Sequence, residues 1–100
     1  MNTTLKEENN ELVMYFDGRL DTAASPVVEK EIQPLLENDN KNIVLDCTKL
    51  EYISSSGLRL FLSVLKNAKA KGNHVYITGV SNDIRNVFAM TGFINLFEFK

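Results

Sequence analysis

Three serines and a glycine, Ser54-Ser55-Ser56-Gly57, stand where an apolar run gives way to an apolar-periodic one. Hydroxyls at such a join have two chemical uses. The start of a helix leaves backbone N–H groups unpaired and carries partial positive charge. A serine there either caps the helix or carries a phosphate that those N–H groups would accept. The first use stabilises the fold; the second adds a reversible charge. A smaller polar cluster, Asp21, Thr22 and Ser25, precedes Pro26 and offers caps for an earlier helix. Asp46 closes the apolar run and reads as a hydrogen-bonding residue at a strand end.

Other chemistries lack their parts. A nucleophilic serine needs a base and an oxyanion site. The serine run is not the G-x-S-x-G elbow of hydrolases. The only histidine, His74, falls at an expected strand start, away from the helix N-terminus if the sheet is parallel. One Cys and one His without ligand spacing build no zinc site, and no G-x-x-x-x-G-K phosphate loop occurs. The reading is a binding protein, not an enzyme, with no cofactor and no metal. A net charge of −2 without a basic stripe argues against nucleic acid. Lys66, Lys69 and Lys71 cluster where a helix should end, which favours cations. No apolar run approaches the roughly 20 residues that span a bilayer, so no membrane insertion is expected. Met1–Lys6 lacks a signal-peptide pattern and Cys47 is alone, which together point to the cytoplasm. One hundred residues, 44% hydrophobic, suit one domain spanning 1–100.

The elements that must position the serines follow from periodicity. Residues 3–8 read as a polar edge strand, turned at Asn9-Asn10 into the β-prone Leu12–Phe16, closed by Asp17-Gly18. Val28, Ile32, Leu35 and Leu36 recur at helical spacing, and Pro34 should kink or divide that helix. Asn42–Asp46 suits a strand covered on both faces, as in a parallel sheet. Leu58, Phe61, Leu62, Leu65 and Ala68 define the clearest amphipathic helix, stopped at Gly72-Asn73. His74–Gly79 reads as a strand, Ser81–Asp83 caps a third helix closed by Gly92, and Phe93–Phe99 reads as a last strand. The order is β-β-α-β-α-β-α-β. It implies an α/β fold with a mixed sheet, mostly parallel with an N-terminal antiparallel hairpin, flanked by about three helices.

With these residues in place the chain resembles the STAS domain, specifically the anti-sigma factor antagonists of bacteria. The resemblance rests on Gly18-Arg19-Leu20-Asp21, on the serine-glycine-leucine turn after a buried strand, and on Met90-Thr91-Gly92-Phe93 followed by Leu96-Phe97. It runs from about Leu12 to Phe99. It implies a fold of the same name and a partner that is both anti-sigma factor and serine protein kinase. Unmodified antagonist captures that partner and frees the sigma factor; phosphorylation of one serine ends the capture, and a serine phosphatase restores it. By position before the glycine, the modified residue is Ser56, with Ser55 before it. Where the family has aspartate this chain has Ser54, which keeps the cap and loses the charge. The resemblance places Asp21, Thr22, Ser54, Ser55, Gly57, Leu58 and Arg59 at the partner surface. It also implies an alternative: some small STAS proteins bind the ATPase of a membrane lipid ABC transporter and need no phosphorylation.

Several of these residues carry two readings. Gly57 lets a partner approach Ser56 closely, or relieves crowding in the first helical turn. Asp21 faces the partner or caps the first helix. Leu58 is a contact or a core residue, the core being favoured by its periodicity. Arg59 falls on the solvent face.

Overall fold

Asn9 and Asn10 both adopt positive φ, 50° and 63°, and so form the turn that matches the twist of a two-stranded ribbon. They join β1 (Asn2–Glu8) to β2 (Glu11–Leu20), antiparallel. The remaining elements are α1 (Ser25–Glu31), α2 (Gln33–Glu37), β3 (Asn42–Ile53), α3 (Ser55–Ala70), β4 (Val75–Thr78), α4 (Asn82–Met90), a 3-10 turn (Phe93–Asn95) and β5 (Glu98–Phe99). This architecture is that of a computed structural model describing residues 1–100. The strands form one sheet in the order β1-β2-β3-β4-β5, with every pair after the first parallel. The expected mixed sheet with its N-terminal hairpin is therefore present.

Right-handed crossovers between consecutive parallel neighbours place all the helices on one side. Met14 and Phe16 of β2, Ile43, Leu45 and Cys47 of β3, and Val75 and Ile77 of β4 pack with Val28, Ile32, Phe61, Val64, Ile84 and Phe88 in one core. Phe61 links Phe16 and Phe88, with ring centroids 5.0 and 6.3 Å away. The other face of the sheet carries no helix. Val13 and Val44 lie there outside the core cluster, beside Tyr15, Asp46 and Tyr76. The expectation that the third strand is covered on both faces holds over Ile43–Leu45, all buried, but on the second face Val44 is covered without a helix. On this helix-free face the Tyr15 hydroxyl donates to both Glu8 carboxylate oxygens, at 2.8 and 2.7 Å, which raises its pKa. No helix is long and apolar enough to cross a membrane.

Three boundaries differ from the sequence reading. Asp46 does not end its strand; β3 runs on to Ile53, and Asp46 Oδ1 accepts the Thr48 N–H at 3.0 Å. Thr48, Lys49, Glu51 and Tyr52 are exposed while Leu50 and Ile53 are buried, so this half looks polar in the sequence and is still pinned to the core. β2 is likewise longer, passing Gly18 at φ 112° to reach Leu20, with register irregularities against β3 on either side. Phe93–Phe99 is not one strand. Gly92, at φ 78°, starts a 3-10 turn, and only Glu98 and Phe99 pair with β4. Pro34 divides its helix, standing in the first turn of α2.

Candidate functional site

The extensions of β2 and β3 bring the two polar clusters together. The Ser54 N–H donates to Leu20 O at 2.8 Å, so the last residue of β2 is tied to the residue that begins α3. From there the chain turns at Asp21. Its Oδ1 accepts the Ala24 N–H at 2.9 Å, and its carbonyl accepts both the Ser25 N–H (3.1 Å) and the Ser25 hydroxyl (2.9 Å). Asp21 therefore holds the turn before α1 without capping the helix: the N-cap position is Ala24, with no side-chain cap hydrogen bond, so the caps expected at Asp21, Thr22 and Ser25 are not found. Thr22 beside it is exposed.

The three serines have separate fates. Ser54, in extended conformation at ψ 170°, is the N-cap of α3; its hydroxyl accepts the Gly57 N–H at 3.1 Å and its carbonyl accepts the Leu58 N–H at 2.9 Å. At 7% exposure its side chain faces inward. Ser55 is exposed and Ser56 half-buried, both in the first turn of α3. Of the three, Ser54 alone has its hydroxyl engaged within the chain.

Gly57 is buried, and the reason is behind it. A Cβ built there would lie 2.7 Å from Leu20 Cγ and 2.9 Å from Ile53 Cγ1, closer than carbon atoms approach. The glycine lets the first turn of α3 sit against the ends of β2 and β3. This favours the crowding explanation over close approach by a partner, because the missing side chain points into the core. Leu58, 2% exposed, also belongs to the core, as its helical spacing indicates, and presents no side chain to a partner. Ser54, Gly57 and Leu58 thus support the site from below. Arg59 is exposed, as expected.

Between α1 and α3 lies an open hollow of about 360 Å³, lined by Thr22, Ser25, Pro26, Glu29, Ser56, Arg59, Leu60 and Ser63. Glu29 and Ser63 were not singled out from the sequence. The signal for Ser63 is its spacing: Ser56, Arg59 and Ser63 stand at i, i+3 and i+7, which is one stripe of a helix. Glu29 carries no such signal, because its place depends on how α1 docks. His74 is at the far end of the molecule. Its N–H donates to Asn42 Oδ1, so it lies beside the start of β3, while Ser56 follows the end of that twelve-residue strand. No imidazole is available to activate Ser56.

A two-layer fold with a half-buried serine of uncommitted hydroxyl on the first turn of the helix after β3 is the frame for comparison with known proteins. The STAS domain family model matches residues 2–100, and the chain belongs to that family. The chain is 32% identical over 79 residues to the anti-sigma-B factor antagonist of Staphylococcus aureus, covering 79% of this chain and 73% of that protein. It is 28% identical over 97 residues to BtrV of Bordetella bronchiseptica, covering 97% of this chain and 84% of BtrV. Among solved structures, the anti-sigma factor antagonist SpoIIAA in its unphosphorylated form matches with a TM-score of 0.81 at 21% identity, over 99% of this chain and 88% of that one. SpoIIAA of Bacillus in its phosphorylated form matches at 0.74 and 20%, over 99% and 91%. At these identities the two structures speak for the fold.

Proposed function

We propose that this chain is an anti-sigma factor antagonist. It binds an anti-sigma factor that is also a serine protein kinase, and phosphorylation of Ser56 switches that binding off. A serine phosphatase resets it. The observation that carries the reading is the division of labour among the serines: Ser54 is consumed as a buried cap, while Ser56 opens onto a hollow with its hydroxyl uncommitted. The Staphylococcus aureus relative's name supplies the partner class.

A phosphoserine adds roughly −1.5 to −2 charges at pH 7. At the start of α3 that charge is compatible with the fold, since the helix dipole favours an anion there by about 0.3–1 kcal/mol. The switch then acts at the docking surface. A dianion pressed against an apolar or acidic partner is costly to desolvate, and about 2.7 kcal/mol is a hundredfold in affinity. Incubation with ATP and the cognate anti-sigma kinase should label one peptide, and fragmentation should place the phosphate on Ser56. Ser56→Ala should remain unlabelled and still capture the kinase. Ser56→Asp should melt within about a degree or two of the parent and lose capture. Undiminished capture by Ser56→Asp would refute the reading.

A further inference from the structure

Arg59 is the only cation lining the hollow that Ser56 opens onto. It has no carboxylate within ion-pair distance, and its guanidinium covers no aromatic ring. The other arginines near aromatic groups are engaged: Arg19 lies 4.5 Å from the Tyr52 ring centroid and Arg85 5.1 Å from that of Phe99. Arg59 stands three residues after Ser56 on α3, a separation that puts two side chains side by side on a helix, about 5–6 Å apart at Cβ. Helical side chains also lean toward the N-terminus. The Arg59 side chain is thereby directed back over the turn that holds Ser56. The backbone of Arg59 is fixed by its helix, and its carbonyl accepts the Ser63 hydroxyl at 3.0 Å.

The charges around this point are few. Asp21 has its carboxylate on the Ala24 N–H. Glu29 of α1 lines the opposite wall and would repel a phosphate. Nothing else in the hollow is charged.

We propose that Arg59 is the intramolecular counter-ion of a phosphate on Ser56. The guanidinium fork suits phosphate oxygens, and the pair would form without any movement of the backbone. Modification would then change the hollow twice, adding a dianion and occupying its one free cation. The proposal rests on Ser56 being the modified residue.

The test installs phosphoserine at position 56 during translation, so no kinase is needed. The phosphate is titrated by phosphorus-31 NMR at low salt in the parent, in Arg59→Gln and in Arg59→Lys. A nearby cation favours the dianion. Arg59→Gln should therefore raise the phosphate's second pKa by about 0.15–0.4 of a unit, the size expected of an exposed i,i+3 ion pair. Arg59→Lys should recover part of the shift. The Arg59 side-chain Nε–H resonance should also move on phosphorylation of the parent. Superimposable titrations of the parent and Arg59→Gln would overturn the ion pair while leaving Ser56 as the modification site untouched. Labelling of another serine by the kinase would defeat the Ser56 assignment and leave this titration readable.

Discussion

Replacing Gly57 with alanine would set a methyl group within 3.0 Å of both Leu20 and Ile53. Neither neighbour is on the surface, so one must leave its rotamer or α3 must lift. Overpacking of this kind costs about 1–3 kcal/mol, and urea denaturation of Gly57→Ala should show a loss in that range. Ser54→Ala removes the acceptor for the Gly57 N–H and should cost about 1 kcal/mol, as lost N-caps do. In both variants Ser56 keeps its hydroxyl, so any reduced capture of the proposed kinase partner should track reduced stability. Ser54 was legible as a cap, since serine just before a periodic run has that use. The duty of Gly57 was not. It depends on Leu20, a residue far away in sequence that only the pairing of β2 with β3 brings underneath.

At the scale of elements, the amphipathic α3 and the Asn9-Asn10 hairpin were readable because each is set by local pattern: period near 3.6 in one, two positive-φ residues in the other. The second half of β3 was not. Its exposed Thr48, Lys49, Glu51 and Tyr52 imitate a loop, and the register irregularities break the strict alternation that identifies a strand. The short β5 failed for the opposite reason, since a seven-residue apolar run looked like one strand when most of it turns at Gly92 and packs as 3-10 and coil. One tie between elements was invisible in advance. Lys71, just past α3, donates from Nζ to Leu36 O and Asn38 O at 2.8 and 2.9 Å and lies 3.2 Å from Asp39 Oδ1. It joins the end of α3 to the end of α2. Lys71→Met should lower stability by about 1 kcal/mol, in line with the net value of hydrogen bonds. The loss should appear in hydrogen exchange as faster opening of α2 and the 38–41 loop.

For the whole molecule, one buried group predicts how stability responds to pH. Desolvation, with a smaller contribution from Asp46, pushes the Cys47 thiol far above its ordinary value of about 9. The folded chain keeps that proton where the unfolded chain releases it. The contribution is therefore complete below about pH 9 and declines as pH rises past it, with a slope approaching one proton per molecule. Cys47→Ala should be less stable at neutral pH and should show a shallower decline between pH 9 and 10.5, measured by urea melts at each pH. Equal slopes in the two proteins would contradict the burial of that thiol.

Strands follow one another across the sheet in the order in which they occur along the chain. A ribosome can therefore lay each new strand against an edge that is already formed, without threading or waiting for a later partner. The contacts that create the serine hollow, between β2, α1, β3 and α3, all belong to the part made first. The backbone around Ser56 can thus be laid down before β4, α4 and β5 emerge, and the packing of Phe61 is completed when Phe88 of α4 arrives. Ser56 therefore belongs to the portion of the chain that is made earlier, and the far edge of the sheet is made last.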